Sequence, residues 1–270
     1  MVKIFTMVKG EADIVREWIM YHGYLFGFHN LFVIDNMSRD GTWEIINEFK
    51  NKINIFRSTN YKLKGDYMTL LINKHCKDEI AFPIDIDEFI VMYDNKINKI
   101  SCEKNDIYNY ITNLPKREIY KMNYIQSKIT NENGYFNAPV ESMYGSYEDC
   151  NDRAKTFVLS SLFKSKLDHG NHYTTNNYLM SNICLVHYHC RNIEQMRKKI
   201  YNNVNGLGYP VFNKTQLQQL LLKNKHCDGY HHVNNQIQIL SNTYKVPIST
   251  YYKTDIVLEP LSTKIKTLSL

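Results

Sequence analysis

The chain has no run approaching eighteen apolar residues, so no membrane span is expected. None of its six cysteines (Cys76, Cys102, Cys150, Cys184, Cys190 and Cys227) belongs to a C-x-x-C pair, which argues against a structural zinc site. Cysteines so scattered in a chain of 270 residues point to a reducing compartment. The N-terminus, M-V-K-I-F-T-M-V-K-G, turns charged after a few apolar residues and reads as a strand rather than a signal peptide. The expectation is a soluble, cytoplasmic protein. Blocks of like charge, internal repeats and low-complexity linkers are also missing. The balance of 33 Lys and Arg against 27 Asp and Glu gives a net charge of +6, too weak and too scattered for a nucleic-acid surface. It does suit an anionic ligand such as a nucleotide phosphate. Tryptophan is rare, with two residues, and alanine is scarce, whereas Tyr, Asn, Lys and Ile are common. That bias looks like the coding of an AT-rich genome and is set aside as a functional clue.

What is present is a core-forming composition, 43% hydrophobic and 22% charged, enough for one large domain or one and a half. Residues 2–8 read as a buried strand, followed by a helix over Ala12–Phe26 that Gly27 ends. Leu31–Ile34 is a second strand, Thr42–Lys50 a helix, Ile53–Phe56 a third strand and Tyr67–Cys76 a helix. Strand alternating with helix over the first ninety or so residues predicts a mainly parallel sheet with helices on both faces. Ligands bind such sheets outside the carboxyl ends of the strands. Beyond Met92 the pattern loosens: a short helix at Ile107–Leu114, strands at Arg117–Ile125, Thr156–Lys164 and Ile183–His187, then helices at Glu194–Val204 and Gln216–Lys225. The tail from Val246 onward reads as extended.

The chain is organised around Ile80–Val91, I-A-F-P-I-D-I-D-E-F-I-V, where apolar, strand-like pieces flank Asp85, Asp87 and Glu88. Buried carboxylates need a compensating cation. In an extended segment Asp85 and Asp87 face the same side, an oxygen pair that suits Mn2+ or Mg2+ with positions left for phosphates. A solitary D-x-D is equally what a solvated strand end shows. Three strand ends, however, carry polar groups: Thr6–Lys9, Asp35–Asn36 and Asp85–Asp87. In D-N-M-S-R-D-G-T, Asp35 closes a buried strand while Asp40 and Thr42 read as helix-start chemistry. His187 and His189 flank Tyr188 at the end of an apolar strand, and neutral imidazole ligates Mn2+ alongside carboxylates. His169 and His172 lie in a loop able to cover a ligand, and His231 and His232 read as a surface pair.

Four blocks, T-M-V-K-G-E-A-D-I-V-R-E-W-I-M-Y-H, L-F-V-I-D-N-M-S-R-D-G-T, F-P-I-D-I-D-E-F-I-V and L-V-H-Y-H-C-R, occur in the order and spacing of family 2-like glycosyltransferases. The chain resembles most the branch containing family 92, over roughly residues 3–200. The resemblance implies an α/β GT-A (Rossmann-like) fold, a nucleotide-sugar donor, a divalent metal and transfer of a sugar to an acceptor hydroxyl. Position by position it implies that Thr6, Val8 and Lys9 line the nucleotide pocket and that Asp35 contacts base or ribose. Asp66 would also reach the nucleotide. Asp85 and Ile86 would lie by the ribose and phosphate, and Asp87 would hold the metal with His187. Asn36 stands where many relatives carry a second acid.

An inverting transfer needs a carboxylate base on the acceptor side. Glu141, Glu148, Asp149 and Asp152 are the candidates, and the adjacent acid pair favours Asp149. Of the cations, Arg153, Lys155 and Arg191 are placed to neutralise phosphate, Arg191 best because it follows H-Y-H. The implied organisation is a nucleotide-sugar-binding βαβ half over 1–95, a mixed acceptor-side half of the same domain over 96–215, and a C-terminal helix and tail over 216–270. The expected partners are a UDP-sugar and a glycan or glycoprotein acceptor. A nucleotidyltransferase would carry a glycine-rich loop after the first strand, where this chain reads V-K-G-E-A-D. A transferase-like module that only binds glycans is the other alternative.

Overall fold

The computed structural model describes residues 1–116, 118–128, 143–149, 154–159, 161, 166–168, 170–172, 177–224, 227, 229–245 and 255–269. The first part alternates regularly: β1 (Val2–Val8), α1 (Val15–Phe26), β2 (Leu31–Asp35), α2 (Thr42–Glu48), β3 (Asn54–Arg57), α3 (Lys64–His75) and β4 (Ile80–Pro83). There follow β5 (Glu88–Asp94), β6 (Lys99–Ser101), α4 (Lys104–Asn113), β7 (Ile119–Ser127), β8 (Tyr144–Glu148), β9 (Lys155–Leu159) and β10 (Leu179–His187). The chain closes with α5 (Ile193–Gly206), α6 (Lys214–Lys223), α7 (Tyr230–Leu240), β11 (Ile256–Val257) and α8 (Glu259–Ser269).

Among the described residues the strands make one 11-stranded sheet in the order β3-β2-β1-β4-β9-β7-β10-β5-β6, with β8 on β7 and β11 on β8. The β3-β2-β1-β4 block is parallel, as its helical crossovers require. Beyond it the pairing is mostly antiparallel, β7 with β10 being the parallel exception. The expected parallel arrangement thus holds over the first four strands and the rest of the sheet is mixed: β9, β7 and β10 lie between β4 and β5, so of the later strands only β5 and β6, and β7 and β8, pair with their neighbours in sequence.

Helices do cover both faces, and the sequence shows why. Along β1, Val2, Ile4 and Val8 join the apolar cluster that holds the buried side of α1, while Phe5 and Met7 join the cluster under α3. β2 divides the same way, Leu31 and Val33 to one face, Phe32 and Ile34 to the other. That is the two-residue period of a strand buried on both sides. A third cluster binds α5, α6 and α7 through Met196, Ile200, Val204, Leu217 and Val233.

The tail expected to be extended is so at Ile256–Val257 but not beyond it, and its residues 246–254 lie outside the described residues. Residues 259–269 form α8, whose Leu261 and Ile265 are buried in the same cluster as α1. The signal was present: Leu261, Ile265 and Leu268 repeat at helical spacing behind an acid and a proline at the helix start. Among the described residues no helix is long and apolar enough to cross a membrane.

Candidate functional site

The parallel register aligns three strand ends on one edge. Val8 lies opposite Asp35, and the Ile84 N–H continues the β1–β4 ladder by donating to Phe5 O at 3.0 Å. Lys9, Asp35 and Asp85 therefore leave the sheet along the same edge. Asp85 and Asp87 are not in extended chain. They lie in a turn closed from both sides: Glu88 N–H donates to Asp85 O (3.2 Å) and Asp85 N–H donates to the Glu88 carboxylate (2.7 Å). Helix α1 grips the turn from behind. Trp18 Nε1–H donates to the carbonyls of Asp85 (3.1 Å) and Glu88 (3.0 Å), and Tyr21 O–H to that of Ile90 (2.6 Å). Trp18, Tyr21 and His22 follow at helical i, i+3, i+4 spacing, so one face of α1 carries all three.

The turn sends its two aspartates into different surroundings. Asp85 accepts from Lys64 Nζ at 2.5 Å, Lys155 Nζ at 2.6 Å and Asn171 Nδ2 at 2.9 Å. Lys155 also donates to Glu88 at 2.7 Å, and both of those side chains are almost fully buried. Burial alone would raise the Asp85 pKa, but Lys155 and Lys64 outweigh it and hold the carboxyl well below its usual range. Gly65 lets the neighbouring segment approach: a Cβ there would lie 2.1 Å from Leu167 O.

Asp87 faces the end of β10 and helix α5. Its Oδ2 is 3.5 Å from His187 Nε2 and accepts a hydrogen bond from Lys199 Nζ, which lies 3.2 Å from His189 Nδ1. Tyr188 N–H donates to Asp87 O at 2.9 Å, fixing the strand end against the turn. Burial would raise the Asp87 pKa, but Lys199 and His187 more than reverse it. The His189 pKa is lowered as well, first by the Lys199 charge and then by burial, so the ring is held neutral. Helix α5 reaches this place because Met196, Ile200 and Val204 bury one stripe and the adjacent stripe, Gln195, Lys199 and Asn203, then lies along the site. Gly10, at φ 71°, lets α5 close on the end of β1: a Cβ there would meet Asn202 Nδ2 at 2.7 Å.

Both aspartates open on a cavity of about 860 Å³. Its floor is Met7, Lys9, Glu11 and the Asp85–Asp87 turn, and its walls include Tyr61, Lys62, Lys64, Asp168, His187, His189, Lys199, Asn203, Tyr209, His231 and His232. The volume is that of a site for a drug-sized or nucleotide-sized ligand. Asp87, His187 and His189 each offer one ligand atom, all within 4.8 Å of one another. One carboxylate with two imidazoles is a donor set for Mn2+ more than for Mg2+, and His187 Nδ1 is buried with no partner.

Of the residues expected from sequence, Lys9, Asp85, Ile86, Asp87 and His187 come together around the cavity. Thr6 and Val8 are buried in β1 behind it. Asp35 is fully buried, accepts from Ser38 N–H at 3.2 Å and pairs with Arg57 at 3.1 Å; that guanidinium lies 4.0 Å from the Trp43 ring. Asp66 stands on the exposed side of α3, paired with Lys166 at 2.6 Å. Arg191 is buried against Glu11 and Asp13 and does not line the cavity. Asp149 is exposed just past β8, also away from the lining. Glu148 does not line the cavity either; its carboxylate accepts from Gln126 Nε2 at 2.8 Å. Glu141, Asp152, Arg153 and His169 lie outside the described residues.

Sequence reasoning missed Lys199, which reads as one more cation on a solvated helix, and Lys64. It placed Lys155 at phosphate, where the structure buries it between Asp85 and Glu88. It also read His231 and His232 as a surface pair. His231 is indeed exposed and His232 half-buried, but both sit in the first turn of α7, which packs on α5, and both line the cavity. His232 lies 6.5 Å from His189 ring to ring, and burial together with His231 pushes its pKa down to about 3.

No protein-family model matches the chain. A stretch of 93 residues is 32% identical to a glycosyltransferase family 92 protein of Oryza sativa subsp. japonica; it covers 32% of this chain and 15% of the rice protein. Among solved structures, S. aureus TarS 1-349 aligns with 90% of this chain and 71% of its own, at 11% identity and a TM-score of 0.42. The same protein in complex with UDP aligns with 89% and 70%, at 10% identity and a TM-score of 0.40. A cytidylyltransferase from Leptospira borgpetersenii covers 45% of this chain and 53% of its own at 16% identity and a TM-score of 0.29. Overlaps this loose fix no residue correspondence.

Proposed function

We propose that the protein is a metal-dependent, inverting glycosyltransferase of GT-A type that moves a sugar from a nucleotide-sugar, a UDP-sugar by preference, to a hydroxyl of a glycan or glycoprotein. The observation that carries the reading is the junction of two things: a strand-edge cavity floored by the Asp85–Asp87 turn, and a carboxylate–imidazole cluster at Asp87, His187 and His189. The stretch shared with a family 92 glycosyltransferase protein supports it. Asp87, His187 and His189 are the residues to hold Mn2+, which when bound would offset the charge of the departing diphosphate.

The chain's own groups do the rest. Lys9, Lys62 and Lys64 line the cavity as a cationic surface for the phosphates. Tyr61, whose O–H donates to Asn203 at 3.0 Å, offers an aromatic wall. In the reaction the acceptor oxygen bonds to the anomeric carbon, the bond from that carbon to the diphosphate oxygen breaks, and the acceptor proton passes to a carboxylate. Asp149 is exposed and off the lining, whereas Asp168 lines the cavity. Asp168 is held in place by His172, which donates to it from N–H at 2.7 Å and lies 3.0 Å away at Nδ1. Burial would raise the Asp168 pKa, but the His172 contacts lower it, so the group is an anion at neutral pH and a weaker base than a free carboxylate.

The test is UDP release from a panel of UDP-sugars with and without Mn2+. Metal-dependent release supports the reading. Pyrophosphate release from UTP and a sugar phosphate would replace it with a nucleotidyltransferase, and silence toward every donor would leave a binding module. Asp168→Asn should slow transfer by roughly 10²–10⁴-fold with UDP affinity unchanged. If Asp149→Asn does so instead, the base belongs on β8.

A further inference from the structure

Lys199 occupies the space that a metal at Asp87, His187 and His189 would need. Its ammonium donates to Asp87 Oδ2 and lies 3.2 Å from His189 Nδ1. Lysine can only donate, so Nδ1 presents its lone pair to the ammonium. Lys199 thus bonds to two of the three residues whose ligand atoms lie within 4.8 Å of one another. A divalent ion binds oxygen at about 2.0–2.1 Å in the case of Mg2+, which would bring it inside contact distance of that ammonium. Two cations at that spacing repel strongly in a site whose Asp87 and Lys199 side chains are 5% and 13% exposed.

We propose that Lys199 is a built-in competitor for the cation seat: it neutralises Asp87 when no metal is bound, and a divalent ion enters only by displacing it into the cavity. The inference rests on the reading of Asp87, His187 and His189 as a metal site. The charge count supports it. The seat holds one carboxylate, which a single ammonium balances, and a divalent ion added on top would leave an excess of positive charge. The way out is open, because Lys199 lines the 860 Å³ cavity and carries a flexible four-carbon stem. Lys198 cannot take its place, being paired with Asp40 on the other side. Displaced, the Lys199 ammonium would point to where the donor's phosphates lie, so metal entry and phosphate binding favour each other.

The experiment is titration of the intact protein with Mn2+ alone, following free Mn2+ by electron paramagnetic resonance. Lys199→Met and Lys199→Gln should each bind Mn2+ roughly tenfold more tightly than the wild type, or better, and Lys199→Arg should not. Asp87→Ala should lose binding. If the uncharged variants bind Mn2+ no better than the wild type while Asp87→Ala loses it, the metal site stands and the competition is overturned. If neither the wild type nor the uncharged variants bind Mn2+, with or without UDP, the metal site itself is wrong and the competition falls with it. Circular dichroism on each variant separates lost binding from lost fold, and two uncharged side chains of different shape guard against a packing artefact.

Discussion

Asp85 and Asp87 are separated by one residue, yet their regions are built on different principles. Around Asp85 the groups interlock. Lys155 serves two carboxylates, Asn171 and Lys64 share one of them, and the backbone of the turn is tied to Trp18. Removing Lys155 takes the shared ammonium from two carboxylates at once. Around Asp87 the counter-charge is one lysine on a flexible stem, facing a cavity, beside two imidazoles able to take a different cation. On the proposed metal reading, Asp85 belongs to the frame of the fold and Asp87 is the carboxylate that exchanges its cation.

The comparison breaks most easily at Lys155. Lys155→Met leaves Asp85 and Glu88 without their shared ammonium, and Glu88 is 1% exposed. Breaking a buried pair from one side costs about 3–5 kcal/mol. Urea unfolding should show a loss of that size with the denaturant slope unchanged. A loss below about 1 kcal/mol would mean that the Asp85 region is as exchangeable as the Asp87 region.

A smaller effect tests the back of the same region through pH. His22 is fully buried next to Trp18; its Nδ1 contacts Trp18 O at 3.0 Å, its Nε2 accepts from Ile90 N–H at 3.4 Å, and burial pushes its pKa down to about 3. The unfolded chain takes up a proton at the ordinary histidine pKa, and the folded chain does not until near 3. Stability is therefore intact above the ordinary value and falls as pH drops between the two. The slope approaches about 1.4 kcal/mol per pH unit for this one group. His189 and His232 add slopes of the same sign, so the measurement is the difference between wild type and His22→Gln, each unfolded in urea at pH 6 and pH 5. Equal slopes would show that α1 does not hold a neutral ring behind the turn.

The contrast between the two regions also marks what the sequence made legible. The parallel half was readable because its signals are local: apolar strands, helical periodicity and polar strand ends succeed one another from Val2 to Pro83, and short crossovers leave one way to assemble them. The strand ends carrying Lys9, Asp35 and Asp85 converge as their spacing implied. The floor of the site was thus available from pattern alone. Its walls were not. Lys155 stands 70 residues from Asp85, and Lys199 stands 112 from Asp87. A basic residue on an amphipathic helix looks the same whether it faces water or a carboxylate. The turn at Asp85–Asp87 was hidden for a related reason: apolar flanks on both sides read as one strand, and only the reciprocal bonds of Asp85 and Glu88 reveal the reversal.

The smallest expected effect is the sharpest test of the difference. Lys199→Met removes the Asp87 counter-charge just as Lys155→Met removes that of Asp85, and both lysines are largely buried. Were burial the deciding quantity, the two losses would match. Lys155, however, also serves the buried Glu88, whereas Lys199 serves one carboxylate, which keeps His187 at 3.5 Å. Lys199→Met should therefore cost less in urea than Lys155→Met, because it takes the ammonium from one carboxylate where Lys155→Met takes it from two. A ligand that binds only the folded state raises stability by RT ln(1 + [L]/Kd). Added Mn2+ should accordingly raise the melting temperature of Lys199→Met by more than that of the wild type, and leave Lys155→Met with its deficit. If the two lysine variants instead lose equal stability and Mn2+ rescues neither, then Asp85 and Asp87 belong to one rigid charge cluster, and the exchange at Asp87 does not occur.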